Sequence, residues 1–307
     1  MNDRINYQTD GSKSSMREPD QRTYIGKYKL IKALGRGGEG CVYMAEDSVL
    51  HRLVAMKRVW NGSREAEEQL KKEAEFLQKL QHPMLPVVYD LLWDEAWYLV
   101  MEYIEGISLH NYIKSAGMVR EERAKEWAEQ LLSILQYLHT RKPPVIYQDL
   151  KPDNIMVCPN GNLRMVDFGA AYYRNYSGYE ERRKAVSMGY AAPEQMKREG
   201  NTAYADERSD IYAFGKVMYY MLTGADPAYP PYTELPITSY APAVSRKMQR
   251  VLRKCMEEEP TKRYQVVGDI WRDLSGNGRG WRKRNTYRSR FIKKVEKQVF
   301  LTECTFD

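Results

Sequence analysis

Tyr147-Gln148-Asp149-Leu150-Lys151-Pro152-Asp153-Asn154 sets a carboxylate, an ammonium and an amide close together in the chain. Asp-x-Lys-x-x-Asn is a compact set for moving a phosphoryl group. The Asp149 carboxylate can orient a hydroxyl and accept its proton, and the Lys151 ammonium can offset charge on the phosphate in flight. Asn154 adds a hard carbonyl oxygen of the kind magnesium accepts. Thirteen residues further on, Asp167-Phe168-Gly169 supplies a second carboxylate for a metal. Upstream, and in order, lie glycine-rich Gly35-Arg36-Gly37-Gly38-Glu39-Gly40-Cys41-Val42 and a lysine, Lys57, in Val54-Ala55-Met56-Lys57.

The bulk numbers agree with a folded chain. At 307 residues the chain can bury a sizeable core as one large domain or two lobes, and 43% hydrophobic with 29% charged residues reads as soluble and globular. Charge interrupts every apolar run well before the ~18 residues of a membrane span. The start, Met-Asn-Asp-Arg-Ile-Asn, has no apolar core, so no secretory signal is expected. Cys41, Cys158, Cys255 and Cys304 lack metal-ligand spacing and fit a reducing compartment, so the expected location is cytoplasmic. The net charge of +7 is carried by the tail: Arg279 to Lys297 holds nine Lys/Arg against the single acid Glu296, a net +8. Such a tail suits an anionic surface or an acidic partner, and no specific nucleic acid is expected. Phe291, Ile292, Val295 and Val299 recur at helical spacing within it, while the plainer reading is a helix with a solvated charged face.

Residues 1–27 read as a polar, flexible leader, and 276–307 as the basic tail. From Tyr28 the pattern changes. Tyr28 to Leu34, Cys41 to Glu46 and Leu53 to Val59 are strand-like and joined by glycine-rich or polar turns. Residues 65–80 predict a helix with Phe76, Leu77 and Leu80 on one face, and Leu85 to Trp93 and Ala96 to Glu102 predict two more strands. After Glu105-Gly106 the chain becomes mostly helical. Trp127, Leu131, Ile134, Leu135 and Leu138 form one apolar stripe, and Ile211 to Leu222 and Ser245 to Cys255 form two further helices.

These ordered motifs resemble the protein kinase superfamily over roughly residues 28 to 274. The resemblance implies an α+β, bilobal fold. A small antiparallel five-stranded N-lobe with one helix spans 28–104, and a mainly α-helical C-lobe spans 105–275. The glycine stretch lies between two strand patterns rather than opening a helix, which favours a hairpin lid over phosphates; glycines let backbone N–H groups approach phosphate oxygens closely. By resemblance ATP is held by Leu34, Gly35, Arg36, Gly37, Gly38, Glu39, Gly40, Cys41 and Val42, with Ala55, Lys57, Met101, Glu102, Ile104 and Met156. Lys57 would contact phosphates and pair with a glutamate of the following helix. Glu73 and Glu75 both qualify by composition; the resemblance selects Glu73, whose spacing to His82-Pro83 is the one usual in the family. Leu99 to Gly106 looks like the hinge, where Glu102 and Ile104 offer backbone groups to adenine. Val42, Ala55, Leu34 and Met156 would sandwich the ring, with Met101 behind. Asp149 and Lys151 carry the chemical step, while Asn154 and Asp167 hold magnesium, or manganese in its place.

Two departures stand out. The family's usual His-Arg before the catalytic aspartate is Tyr147-Gln148 here. Tyr147 fits the histidine's place under Phe168 if its hydroxyl finds a partner. Gln148 lacks the charge that normally pairs with a phosphorylated activation loop, so activity should not depend strictly on such a phosphate. Ala170 to Gly189 corresponds to that loop and carries Tyr172, Tyr173, Tyr176 and Tyr179; Ser177 reads as an exposed phosphorylation candidate, and Ser187 as a contact to Asp149 and Lys151. By resemblance Glu194 pairs with Arg263, and Asp210 braces the catalytic loop. This lower set separates the chain from antibiotic and choline phosphotransferases. Asp-Leu-Lys-Pro-Asp-Asn and Gly189-Tyr190-Ala191-Ala192-Pro193-Glu194-Gln195 resemble bacterial (Hanks-type) serine/threonine kinases, which implies protein substrates and autophosphorylation. An ATP-holding scaffold and a small-molecule phosphotransferase are the alternatives, and the activation segment argues against the second. Cys41, beside the lid, reads as a half-buried strand residue before it reads as a redox sensor. The oligomeric state is left open.

Overall fold

The computed structural model describes residues 23–36, 40–59, 64–174, 187–196, 205–230, 235–241 and 243–275. Gly37, Gly38, Glu39, Tyr176, Ser177, Tyr179, the first 22 residues and the tail from 276 on lie outside the described residues. The chain divides into two compact units, Met1–Phe76 with Val87–Tyr103, and Leu77–Pro86 with Ile104–Asp307.

The first unit is an antiparallel sheet of six strands, β1 (Tyr24–Ile25), β2 (Tyr28–Arg36), β3 (Gly40–Asp47), β4 (Arg52–Val59), β5 (Val88–Trp93) and β6 (Trp97–Glu102), in the order β1-β2-β3-β4-β6-β5. Helix α1 (Arg64–Gln78) starts within it. Strand alternation sorts side chains to two faces. Cys41, Tyr43, Ala45, Val54, Met56, Tyr98 and Val100 bury one face together with Ile25 and Tyr28. Ala55, Leu99 and Met101 bury the other against Leu70 and Ala74 of α1.

The sheet has six strands, not the five expected. The extra one, β1, is two residues long, too short to show alternation. Ile25 is nevertheless completely buried, and the pair Ile25↔Tyr28 closes a tight hairpin, so the described end of the expected 1–27 leader includes a strand. The fourth expected strand, Leu85 to Trp93, is also shorter at its start. Leu85 donates its N–H to the His82 carbonyl, and Met84 and Leu85 give their carbonyls to Met165 N and Arg164 Nη2. With those backbone groups committed to the second unit, pairing in the sheet begins only at Val88.

The second unit contains β7 (Ile107–Ser108), α2 (Leu109–Ala116), α3 (Glu121–His139), β8 (Val145–Ile146), β9 (Ile155–Val157), β10 (Leu163–Met165), β11 (Tyr172–Tyr173), α4 (Pro193–Met196), α5 (Glu207–Thr223), α6 (Ile237–Tyr240), α7 (Arg246–Cys255) and α8 (Val267–Ser275). Short antiparallel ladders join β10-β9-β7 and β11-β8. Helix α5 is its central post and is buried on every side from Ser209 to Thr223. Asp206 caps it, accepting the Arg208 N–H at 2.8 Å while its own N–H donates to Ser209 Oγ at 3.3 Å. Among the described residues no helix is long and apolar enough to cross a membrane.

Burial on α5 disfavours one charge, that of Lys216. Lys216 is 7% exposed, with its ammonium 5.1 Å from the centre of the Tyr212 ring, and burial pushes its pKa down to about 8. Below that pH the buried charge is retained in full. As pH rises from about 8 to the ordinary lysine value, the folded protein has already lost the proton that the unfolded chain still binds, and the penalty fades. Lys216→Met is therefore expected to raise stability by roughly 3 kcal/mol near neutrality. The gain should shrink as pH is raised towards about 10, as read by denaturant unfolding of both proteins at two pH values.

Candidate active site

The segment 147–151 has no regular secondary structure and is held from α5. Asp210, fully buried in the first turn of that helix, accepts the N–H groups of Tyr147 (2.9 Å) and Gln148 (2.8 Å). His139 Nε2, at the end of α3, lies 2.9 Å from the same carboxylate. Gln148 adopts a φ of +67°, which for a residue with a side chain costs about 1–3 kcal/mol and persists only where surroundings enforce it. The Asp210 brace expected from the motif is thus present, and it holds a strained turn.

Beyond that turn Asp149 collects its partners. Its Oδ2 accepts Lys151 Nζ at 2.8 Å and Asn154 Nδ2 at 2.9 Å, and its Oδ1 accepts the Ser187 hydroxyl. Lys151 Nζ also reaches Ser187 Oγ at 2.9 Å. Asn154 Nδ2 makes a second bond, to the Asp149 carbonyl at 3.0 Å. The amide of Asn154 is therefore oriented by its donor end, and its carbonyl oxygen is the end left for an electrophile.

Asp167 is carried to the same end of a hairpin. The β9–β10 pairs run Val157↔Leu163 to Ile155↔Met165, and Val166 N–H then donates to the Asn154 carbonyl at 3.1 Å. Asp167 follows directly, its Oδ1 accepting the Gly169 N–H at 2.9 Å. Asn154 and Asp167 together present hard oxygen donors, which fits magnesium, a cation that takes one or two protein ligands and draws the rest from phosphates and water.

Tyr147 answers its departure from histidine. It is fully buried, its hydroxyl donates to the Asp167 carbonyl at 2.6 Å, and its ring meets Phe168 edge-on with centroids 4.8 Å apart.

Glu194 and Arg263 form a buried bidentate pair at 2.7 and 2.8 Å. The other Arg263 donors go to the carbonyls of Arg208, Glu257 and Glu258, so every guanidinium N–H has an acceptor. Ser209 Oγ adds a bond to Glu194 Oε1 at 2.7 Å. Burial by itself would raise the Glu194 pKa. The hydrogen bonds from Arg263 and Ser209 outweigh it and hold the carboxyl below its usual range.

In the first unit, Lys57 Nζ meets Glu73 Oε2 at 2.7 Å, with the Glu73 side chain 1% exposed. Glu75 is exposed, so of the two candidates Glu73 is the partner. Lys57 pairs across the ladder with Val42 and Leu99 and shares their face of the sheet with Ala55 and Met101. Cys41 does not. Its side chain is 1% exposed in the core on the opposite face, which removes it as a side-chain contact and as an accessible thiol. Leu34 and Arg36 are exposed on β2, and a side chain at Gly35 would meet open space. Gly40 differs, because a Cβ there would lie 2.0 Å from the Arg58 carbonyl, so its bare backbone is required by β4 packing. The Glu102 N–H is engaged by the Val87 carbonyl at 2.8 Å. In the second unit, Ile104 is buried, and Met156 lies on β9 opposite Ser108 and Arg164.

Sequence reasoning gave no contact to Asp226, which it read only within the Thr223–Pro227 stretch; its Oδ1 accepts the Tyr190 hydroxyl at 2.8 Å and the Ala228 N–H at 2.9 Å. An aspartate before Pro227 is a turn signal that points to the second bond but not to the first. It also treated 170–189 as one loop, whereas Tyr172–Tyr173 pair with β8.

Residues 28–270 match the protein kinase domain, and the chain belongs to that family. Its sheet-and-helix first unit and helical second unit are those of the bilobal kinase fold. The chain is 30% identical over 265 residues to the serine/threonine-protein kinase PrkC of Bacillus subtilis, covering 81% of this chain and 40% of that protein. It is 32% identical over 270 residues to the serine/threonine-protein kinase PknB of Mycobacterium tuberculosis, covering 81% and 42%. A probable serine/threonine-protein kinase of Streptomyces coelicolor is 32% identical over 281 residues, covering 84% and 41%. The chain spans about two fifths of the length of these relatives.

Proposed function

We propose that this chain is an ATP- and magnesium-dependent serine/threonine protein kinase that phosphorylates protein hydroxyls and itself. The observation that carries the reading is the Asp149 carboxylate shared by Lys151, Asn154 and Ser187. In this reading Asp149 orients the acceptor hydroxyl and takes its proton, and Lys151 offsets charge on the moving phosphate. Lys57, aligned by Glu73, contacts the nucleotide phosphates, and the glycine-rich stretch offers them backbone N–H groups. Asn154 and Asp167 would hold magnesium, which when bound neutralises phosphate charge. Leu34, Ala55, Met101, Glu102, Ile104 and Met156 serve adenine. The names of the relatives and the serine at position 187 favour serine and threonine as acceptors. We place the protein in the cytoplasm and assign the tail an anionic surface or an acidic partner.

Intact-mass spectrometry of phosphatase-treated protein after incubation with ATP and magnesium tests the reading. Phosphate on the chain or on a generic serine/threonine substrate supports it. ATP binding without transfer would shift the weight to a nucleotide-holding scaffold.

The start of the activation segment is anchored without phosphate. Tyr172 and Tyr173 pair with β8, the Tyr172 hydroxyl donates to the Ala205 carbonyl, and Arg174 pairs with Glu207. With Gln148 uncharged, phosphatase-treated and untreated protein are expected to turn over within about twofold of each other. A large loss on dephosphorylation, seen in initial rates, would sink that expectation.

A further inference from the structure

We infer that Gln195 is a positioning residue for the catalytic loop, an assignment that rests on the kinase reading above. Its side-chain amide bridges two backbone groups of fixed polarity. Oε1 accepts the Ala192 N–H at 2.8 Å, and Nε2 donates to the Gln148 carbonyl at 3.1 Å. One partner can only donate and the other only accept, so chemistry dictates a single orientation of the amide.

The carbonyl it holds belongs to the peptide joining Gln148 to Asp149. The Gln148 N–H is already taken by Asp210 Oδ1. A residue in the strained left-handed region is thus gripped on both sides, from α5 through its N–H and from α4 through its C=O. Fixing that peptide plane sets the direction in which the Asp149 side chain leaves the backbone. The same amide ties the loop to the segment that carries Ser187, whose carbonyl accepts the Ala191 N–H at 3.0 Å. Catalytic carboxylate and its Ser187 partner are therefore held in register by a neutral group, in a chain whose Gln148 offers no charge for a phosphate.

The test compares wild type with Gln195→Glu and Gln195→Ala. Glutamate keeps the size and the acceptor for Ala192 but turns an ionised oxygen towards the Gln148 carbonyl. At about pH 8 its kcat is expected to fall about tenfold to a hundredfold, with KM for ATP unchanged. As pH falls towards about 5 the new carboxyl protonates and regains a donor, so the ratio of wild-type to variant kcat should shrink. Asp149, Lys151 and Asp210 face the same loop in both proteins, and Gln195→Ala, which adds no charge, is the reference for their share of the pH profile. Gln195→Ala has no donor at any pH, and its deficit should stay constant. Equal kcat for wild type and Gln195→Glu at pH 8, or the same pH-independent deficit in both variants, would overturn the assignment.

Amide hydrogen exchange of residues 147–151 reads the same clamp without turnover. Faster exchange in Gln195→Glu at a near-native melting temperature supports the role, and unchanged exchange refutes it. An inactive wild type would sink the kinase reading, while the exchange result would still decide what Gln195 does.

Discussion

Asp149→Ala is expected to abolish most phosphate transfer, lowering kcat by about 10²–10⁴-fold, the range for loss of a positioned acid–base group. Three donors converge on this carboxylate: Lys151, Asn154 and Ser187. Its removal takes away the group that orients the acceptor and leaves the Lys151 ammonium without its nearest counter-charge. The fold should survive, because Asp149 is half-exposed and the turn before it is held by Asp210 rather than by Asp149 itself. Mass spectrometry of phosphate incorporation, with the melting temperature as control, checks both halves. Wild-type transfer by the variant would mean that another group orients the acceptor.

Arg263→Met is expected to be the most destabilising single change, costing about 3–5 kcal/mol. The cost comes less from the lost attraction than from what is left behind. Glu194 would be a buried carboxylate without its counter-charge, and the carbonyls of Arg208, Glu257 and Glu258 would lose their donor. If that account is right, Glu194→Met combined with Arg263→Met should recover part of the loss, since the stranded charge is gone. The pH dependence follows from the sign of the Glu194 shift. Its folded pKa is depressed, so its contribution is present above the ordinary carboxylate pKa of about 4.3 and is lost as pH falls through the lower folded value. The stability gap between wild type and Arg263→Met should therefore be widest near neutrality and narrow as pH falls, first as the stranded Glu194 of the variant, whose pKa burial raises, takes up a proton, and further as the wild-type pair is protonated in stronger acid. Urea unfolding across that range measures it; a gap independent of pH down to about 3 would deny the ion pair its role.

Much of the site was legible because its chemistry is written locally. Asp149, Lys151 and Asn154 lie within one loop and a turn of 3₁₀ helix, and their side chains do converge. Ser187 was reachable through the family resemblance and not through spacing, as it lies 38 positions from Asp149. Choosing Glu73 over Glu75 also needed the resemblance, since composition treats the two alike; the helix face decides, burying one and exposing the other.

What stayed hidden has a common cause. Strand β1 has too few residues for any period to appear, and only the core vacancy filled by Ile25 reveals it. Leu85 carries strand-like neighbours, but its backbone is claimed by Arg164 and His82. The side of the sheet that Cys41 faces follows from strand register, and a motif that names loop residues in a row says nothing about register. Gln195 was read only as the last residue of the Gly189–Gln195 stretch, because a glutamine makes no demand until a donor and an acceptor are both brought to it.

The amino-acid sequence alone determined the inventory: the charged and amide groups for phosphoryl transfer, the strand and helix periods, and the missing charge at Gln148. Tertiary structure decided which of these groups meet. Lys57 and Glu73 are 16 positions apart, Gln148 and Asp210 are 62, and Glu194 and Arg263 are 69. Periodicity acts over a few residues, while a hydrogen bond requires approach to about 3 Å with the right direction. Only packing around α5 and against the sheet supplies that approach.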